Sequence, residues 1–155
     1  MDAAVKVRFA EPGDAPVLAT MLHDFNLEFG DPSPGVEVIE RRVAAFIDDG
    51  RFIFLLGGEG PDGFAQIAFN PSVWSDHPVG YIAEFYVKPE LRGRGTGKAI
   101  MQAIFDEAHR RNAAGIELVT GEDDTGARAL YEKFGFKNEI EGTENARSLF
   151  YEINF

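Results

Sequence analysis

From Arg92 to Lys98 the chain reads Arg-Gly-Arg-Gly-Thr-Gly-Lys, three glycines in five residues among three cations. Glycines at that density let several backbone N–H groups turn toward one point. Placed at the start of a helix, such a loop makes a cradle for an anion, usually a phosphate. The charge balance agrees. The protein carries 15 basic and 26 acidic residues, a net charge of −11, yet Lys88 to Lys98 holds four basic residues and a single acid. Local positive charge in an acidic chain points to a bound anion. Just upstream, Glu84 sits inside the apolar stretch Gly80–Val87 (GYIAEFYV). A carboxylate there is costly unless it is paired, turned to solvent, or used as a general base or proton relay.

The spacing decides which phosphate motif this is. A P-loop needs a glycine where Arg92 stands and a hydroxyl where Ala99 stands. The dinucleotide fingerprint fails as well, because Gly93, Gly95 and Gly97 are two apart and Lys98 takes the last glycine position. What fits is R-x-x-G-x-G, as Arg92, Gly95 and Gly97. Here the chain resembles the GNAT superfamily of N-acetyltransferases, whose coenzyme A pyrophosphate loop is [QR]-x-x-G-x-[GA]. A second block, Asp124–Phe136 (DTGARALYEKFGF), is similar to that family's N-x-x-A-x-x-[LF]-Y-x-[KR]-x-G-F helix, matching at Ala127, Leu130, Tyr131, Lys133, Gly135 and Phe136. Asp124 stands where the family commonly has the Asn that helps bind the pantetheine arm. The resemblance covers roughly 80–136; the first seventy residues match only in layout.

The resemblance implies a mixed, mostly antiparallel twisted sheet of about six to seven strands with about four helices, a mixed α/β fold in which two splayed strands hold acyl-CoA. It implies pantetheine pairing by the backbone of Phe85, Tyr86 and Val87. Pyrophosphate contacts would come from Arg92, Gly93, Arg94, Gly95, Thr96, Gly97 and Lys98, with Asp124 and Tyr131 also against the cofactor. The implied activity is direct transfer of acetyl from acetyl-CoA to a primary amine, with Glu84 as base or relay and Tyr131 as the acid that protonates the leaving thiolate. Phe25, Phe29, Trp74 and Glu84 are candidate acceptor contacts, with His77 and Tyr151 beside them. Two other readings share the glycine loop: a non-catalytic acyl-CoA-binding module, and a nucleotide-binding protein whose motif spacings fail here.

These residues need elements to hold them. Val5–Phe9 alternates as a strand. Asp14 is the expected N-cap of a helix with Pro16 in its first turn and an apolar stripe at Val17, Leu18, Met21, Leu22 and Phe25. Val36–Asp49 is a second helix stopped by Gly50. Phe52–Leu56 and Phe64–Phe69 form a hairpin, and Asn70–Pro78 is a loop. Gly80–Val87 is a strand, Ala99–Arg111 a helix and Ile116–Thr120 a strand, with a short helix ending near Phe134. Phe136 and Leu149–Phe155 are the expected last two strands, and the last could pair across a dimer axis. The whole chain, 1–155, reads as one domain.

Composition bounds the rest. With 45% hydrophobic residues in 155, the chain can bury a sizeable core. No apolar run reaches the ~20 residues of a membrane span, and no signal-like segment opens the chain, so a cytoplasmic location is expected. There is no cysteine, hence no thiolate metal site and no cysteine acyl-enzyme. His23, His77 and His109 lack metal-ligand spacing, so no metal is expected. The acidity argues against nucleic acid as a partner and suits a small cationic amine acceptor.

Overall fold

The computed structural model describes residues 3–155. They fall into two compact units, one running to Leu118 and the other Val119–Phe155.

The first unit is a five-stranded sheet in the order β1-β2-β3-β4-β5 with three helices. Its strands are β1 (Val7–Phe9), β2 (Ile53–Gly57), β3 (Gly63–Asn70), β4 (Val79–Val87) and β5 (Gly115–Leu118). β1 to β4 pair antiparallel, and β4 pairs with β5 in parallel. α1 (Ala15–Glu28) and α2 (Val36–Asp49) pack on one face. There Leu18, Met21, Val43, Phe54, Leu56, Phe64 and Tyr86 form one core cluster. Burying each of these large side chains contributes about 1.5–3 kcal/mol. Alternation sends Leu55 and Gly57 to the opposite face, where α3 (Thr96–Arg110) lies. At Gly57 a Cβ would stand 2.7 Å from the Ile100 side chain, so the absent side chain lets α3 approach β2. Ile100, Met101 and Ile104 are fully buried, as their helical spacing requires.

Asp14 occupies the N-cap position of α1, but its carboxylate does not cap the helix. It accepts from both Arg8 guanidinium nitrogens at 2.7 and 2.8 Å and from the Glu11 N–H at 2.8 Å. A bidentate, charge-assisted pair outcompetes a neutral N–H donor. α2 ends as the sequence suggests, on Gly50 in the left-handed conformation at φ 68°.

The second unit holds α4 (Thr125–Lys133) and a tail without regular strands. Five strands, rather than six to seven, is a correction to the sequence expectation. Neither Phe136 nor Leu149–Phe155 joins a sheet among the described residues; only an isolated Glu139–Arg147 bridge forms. The reason lies in the intervening residues 137–147 (KNEIEGTENAR), which lack the apolar alternation that would hold a ladder in register. Leu149, Tyr151, Ile153 and Phe155 accordingly stay exposed. No helix among the described residues is long and apolar enough to cross a membrane.

Candidate functional site

The site in the first unit is organised by a defect in β4. Gln66 of β3 pairs with Glu84 and Ile67 with Ile82, which leaves Ala83 as an extra residue, a β-bulge. At the same point β5 departs. Its last pair is Ile82 with Leu118, so among the described residues Ala83–Val87 keep β3 on one side and have no strand on the other. The splay expected from the sequence therefore begins at Ala83, and Phe85, Tyr86 and Val87 lie in the open half. A strand edge with no neighbouring strand offers alternating N–H and C=O groups to an extended ligand.

Beyond β4 a short 3-10 turn, Pro89–Leu91, leads into the glycine loop. Gly93 and Gly95 adopt φ 76° and 87°, the left-handed region that side chains disfavour. Gly97 lies in the first turn of α3 and has no left-handed φ. Among the described residues no acceptor takes the N–H groups of Gly93, Arg94, Gly95, Thr96, Gly97 or Lys98, whereas the Ala99 N–H already bonds the Gly95 carbonyl at 3.0 Å. Six consecutive donors at a helix N-terminus fit a pyrophosphate. Arg94 and Lys98 form no ion pair among the described residues and add positive charge there.

Arg92 behaves differently from the other loop cations. Its guanidinium donates to both Glu28 carboxylate oxygens at 2.7 and 2.8 Å, and its Nε to the Val87 carbonyl at 2.9 Å. It also lies 5.8 Å from the centre of the Tyr86 ring. In this arrangement it ties the loop to α1, and the donors that no acceptor takes are the backbone N–H groups.

Glu84 points to the same face as Tyr86, two residues on. It makes no hydrogen bond or ion pair among the described residues, and burial raises its pKa above the usual carboxylate value. Tyr86 is 4% exposed and packs against Phe25, ring centres 5.2 Å apart. Phe29 lies edge-on to Phe25 at 5.3 Å and is half exposed. Trp74 lies in the β3–β4 loop, at the opposite end of β4 from Tyr86, and is 93% exposed. His77, in the same loop, contacts the Asn112 amide at 3.1 Å. The structure thus brings Phe25, Phe29, Glu84 and Tyr86 to one end of the unit and leaves Trp74 and His77 at the other.

A cleft of about 420 Å³ opens between α1 and the end of β4. Val17, Thr20, Met21, Asp24 and Glu28 line one wall, a single helical stripe, and Tyr86, Lys88, Pro89 and Glu90 the other. Sequence reasoning reads the apolar part of this stripe as core and passes over Asp24, Glu28 and Glu90. The signal was present in the i, i+4, i+7 continuation of the Val17–Met21 stripe into acids.

In the second unit Asp124 is the N-cap of α4, its carboxylate accepting from the Ala127 N–H at 3.3 Å. That satisfies a helix donor and fixes the start of α4. Tyr131 is buried, its ring 5.9 Å from that of Phe136. Burial, with the Asp124 charge adding to it, pushes the phenol up to about 12. Tyr151 is 83% exposed in the tail. Among the described residues no group of three His, Asp or Glu could hold a metal ion.

Residues 18–136 match the profile of the acetyltransferase (GNAT) family. A crystal structure from Arthrobacter sp. FB24, provisionally assigned as an acetyltransferase, superposes with a TM-score of 0.89 at 36% identity, covering 100% of this chain and 99% of that one. The uncharacterised N-acetyltransferase YhfO of Bacillus subtilis is 24% identical over 137 residues, 87% of this chain and 91% of its own. The uncharacterised N-acetyltransferase MJ1207 of Methanocaldococcus jannaschii is 32% identical over 93 residues, 59% of this chain but 41% of that protein. With its bulged and splayed β4, its glycine loop and these matches, the chain belongs to the GNAT acetyltransferase family.

Proposed function

We propose that the protein is an N-acetyltransferase that moves an acetyl group from acetyl-CoA directly to a primary amine of a small molecule. The observation that carries this reading is the run of β4 edge that has no strand beside it among the described residues into six unaccepted N–H groups at 93–98. Edge and cradle match, in order, the amides and the pyrophosphate of an acyl-CoA. The domain acting as a unit would be 1–155.

The chain's own groups supply what the reaction needs. Glu84, unpaired and with its pKa raised by burial, takes the proton that the attacking amine loses, directly or through water. Backbone N–H groups in the open half of β4 stabilise the oxyanion of the tetrahedral adduct. The C–N bond forms, the C–S bond breaks, and Tyr131 gives its proton to the departing thiolate. A phenol held near 12 is fully protonated at neutral pH, so the proton is present when it is required. With no cysteine in the sequence, no cysteine acyl-enzyme can intervene.

The test is thiol release from acetyl-CoA with a panel of primary amines, for the wild type and Tyr131→Phe. The reading expects amine-dependent release, kcat lower by roughly 10²-fold in Tyr131→Phe, and unchanged acetyl-CoA affinity. Equal loss of rate and affinity would make Tyr131 a positioning residue. Absence of release with every amine would point to a non-catalytic binding module.

A further inference from the structure

The cleft beside β4 is not explained by acyl-CoA binding. Its walls carry three carboxylates, Asp24, Glu28 and Glu90, against one ammonium, Lys88. Glu28 is matched by Arg92. Asp24 and Glu90 have no ion-pair partner among the described residues. Tyr86, 4% exposed, lines the same cleft on the Glu90 wall, and its hydroxyl makes no hydrogen bond among the described residues. Its ring is buried while its oxygen opens to the cleft, where a ligand can reach it. Burial raises its pKa, and the charges of Glu28 and Asp24 add to that against Arg92, so the hydroxyl stays protonated and its oxygen can accept a hydrogen bond. Val17, partly exposed on the α1 wall, supplies apolar surface in the cleft.

This surface fits an alkyl chain with a cationic end: carboxylates for the charge, a neutral oxygen to accept from N–H, and apolar contact between. Glu84 projects from the same face one pleat repeat away, roughly 7 Å along the strand. Resting on the acetyltransferase reading, we propose that this cleft selects an aliphatic diamine or polyamine as acceptor. One ammonium sits between Asp24 and Glu90 against the Tyr86 hydroxyl, while a second amino group is presented to Glu84, loses its proton there and becomes the acetylated nitrogen. The net charge of −11 steers such a cation toward the protein.

Calorimetric titration of the full chain with 1,4-diaminobutane and with n-butylamine tests this, alongside the thiol-release assay with the same two amines. The expected result is diamine binding at least tenfold tighter than monoamine binding. Asp24→Asn and Glu90→Gln should each weaken the diamine by about tenfold, with unchanged acetyl-CoA affinity certifying the fold. Tyr86→Phe should weaken it less. Equal affinity for the two amines, or no effect of the Asp24→Asn/Glu90→Gln double variant, overturns the proposal. Thiol release that is as efficient with butylamine as with diaminobutane overturns the selectivity and leaves the acetyltransferase reading standing. Selective diamine binding without any thiol release supports the cation site and overturns the transferase reading.

Discussion

β4 has two halves. Val79–Ile82 is paired on both sides, with β3 and with β5, and Gly80 there sits against Phe69 and Ile116. Ala83–Val87 keeps only β3, begins with a bulge and opens one edge. Residue types barely differ between the halves; both are largely apolar. The difference lies in the partner that leaves, and it teaches that one strand can be core at one end and present an open edge at the other. Substitutions in the closed half should therefore read out in stability, and those in or just after the open half in ligand affinity and rate.

The largest effect is expected just past the open half. Gly93→Val with Gly95→Val forces two branched side chains into left-handed backbone, at roughly 1–2 kcal/mol each. Because nothing lies within 4 Å of either Cβ position, the cost falls on the loop conformation and not on packing. Acetyl-CoA affinity should drop roughly 10²- to 10³-fold by titration, with the circular dichroism spectrum retained.

Next comes Glu84→Gln, at the start of the open half. On the proposed base role of Glu84, its loss should lower kcat/KM by about 10²-fold and flatten the acidic limb of the pH–rate profile. The sign on stability is opposite. Burial raises the folded-state pKa, so the native carboxyl holds its proton more tightly than the unfolded one, and stability falls as pH rises through the folded value. At neutral pH the Gln variant should be slower yet slightly more resistant to urea. A variant that is both slower and less stable would assign Glu84 to structure.

In the closed half, Gly80→Ala puts a Cβ 3.2 Å from the Phe69 ring. A cost of about 1 kcal/mol is expected, seen as a Tm drop of a few degrees, with acetyl-CoA affinity unchanged. A change in affinity would mean that the two halves are not independent.

The smallest effect belongs to Asp14, far from either half. The Arg8 guanidinium holds its carboxyl down at about 2 instead of 3.8. Its contribution is thus complete above the ordinary value and is lost as pH falls from about 4 to about 2. Arg8 is half exposed, so Asp14→Asn should cost no more than about 1 kcal/mol at neutral pH, vanishing near pH 2 in acid unfolding.

Much of the first unit was legible because its signals are local. The 3.6 period of Leu18–Phe25 and Ile100–Ala108, the Gly50 stop and the glycine loop all act over a few residues. The cleft was not legible, because its walls come from chain segments far apart; Arg92 and Glu28 stand 64 residues from each other. Nor did alternation in Leu149–Phe155 suffice for a strand, since a strand exists only with a partner ladder, and residues 137–147 do not supply one.

The most direct test of the account is calorimetric titration of the wild type and the Gly93→Val/Gly95→Val variant with acetyl-CoA, with ATP and NAD⁺ as controls. The open edge and six-donor cradle predict micromolar binding of acetyl-CoA by the wild type alone, and little or none of either control. No binding, or binding that survives the double substitution unchanged, would contradict the assignment of this half of β4 and its loop to acyl-CoA.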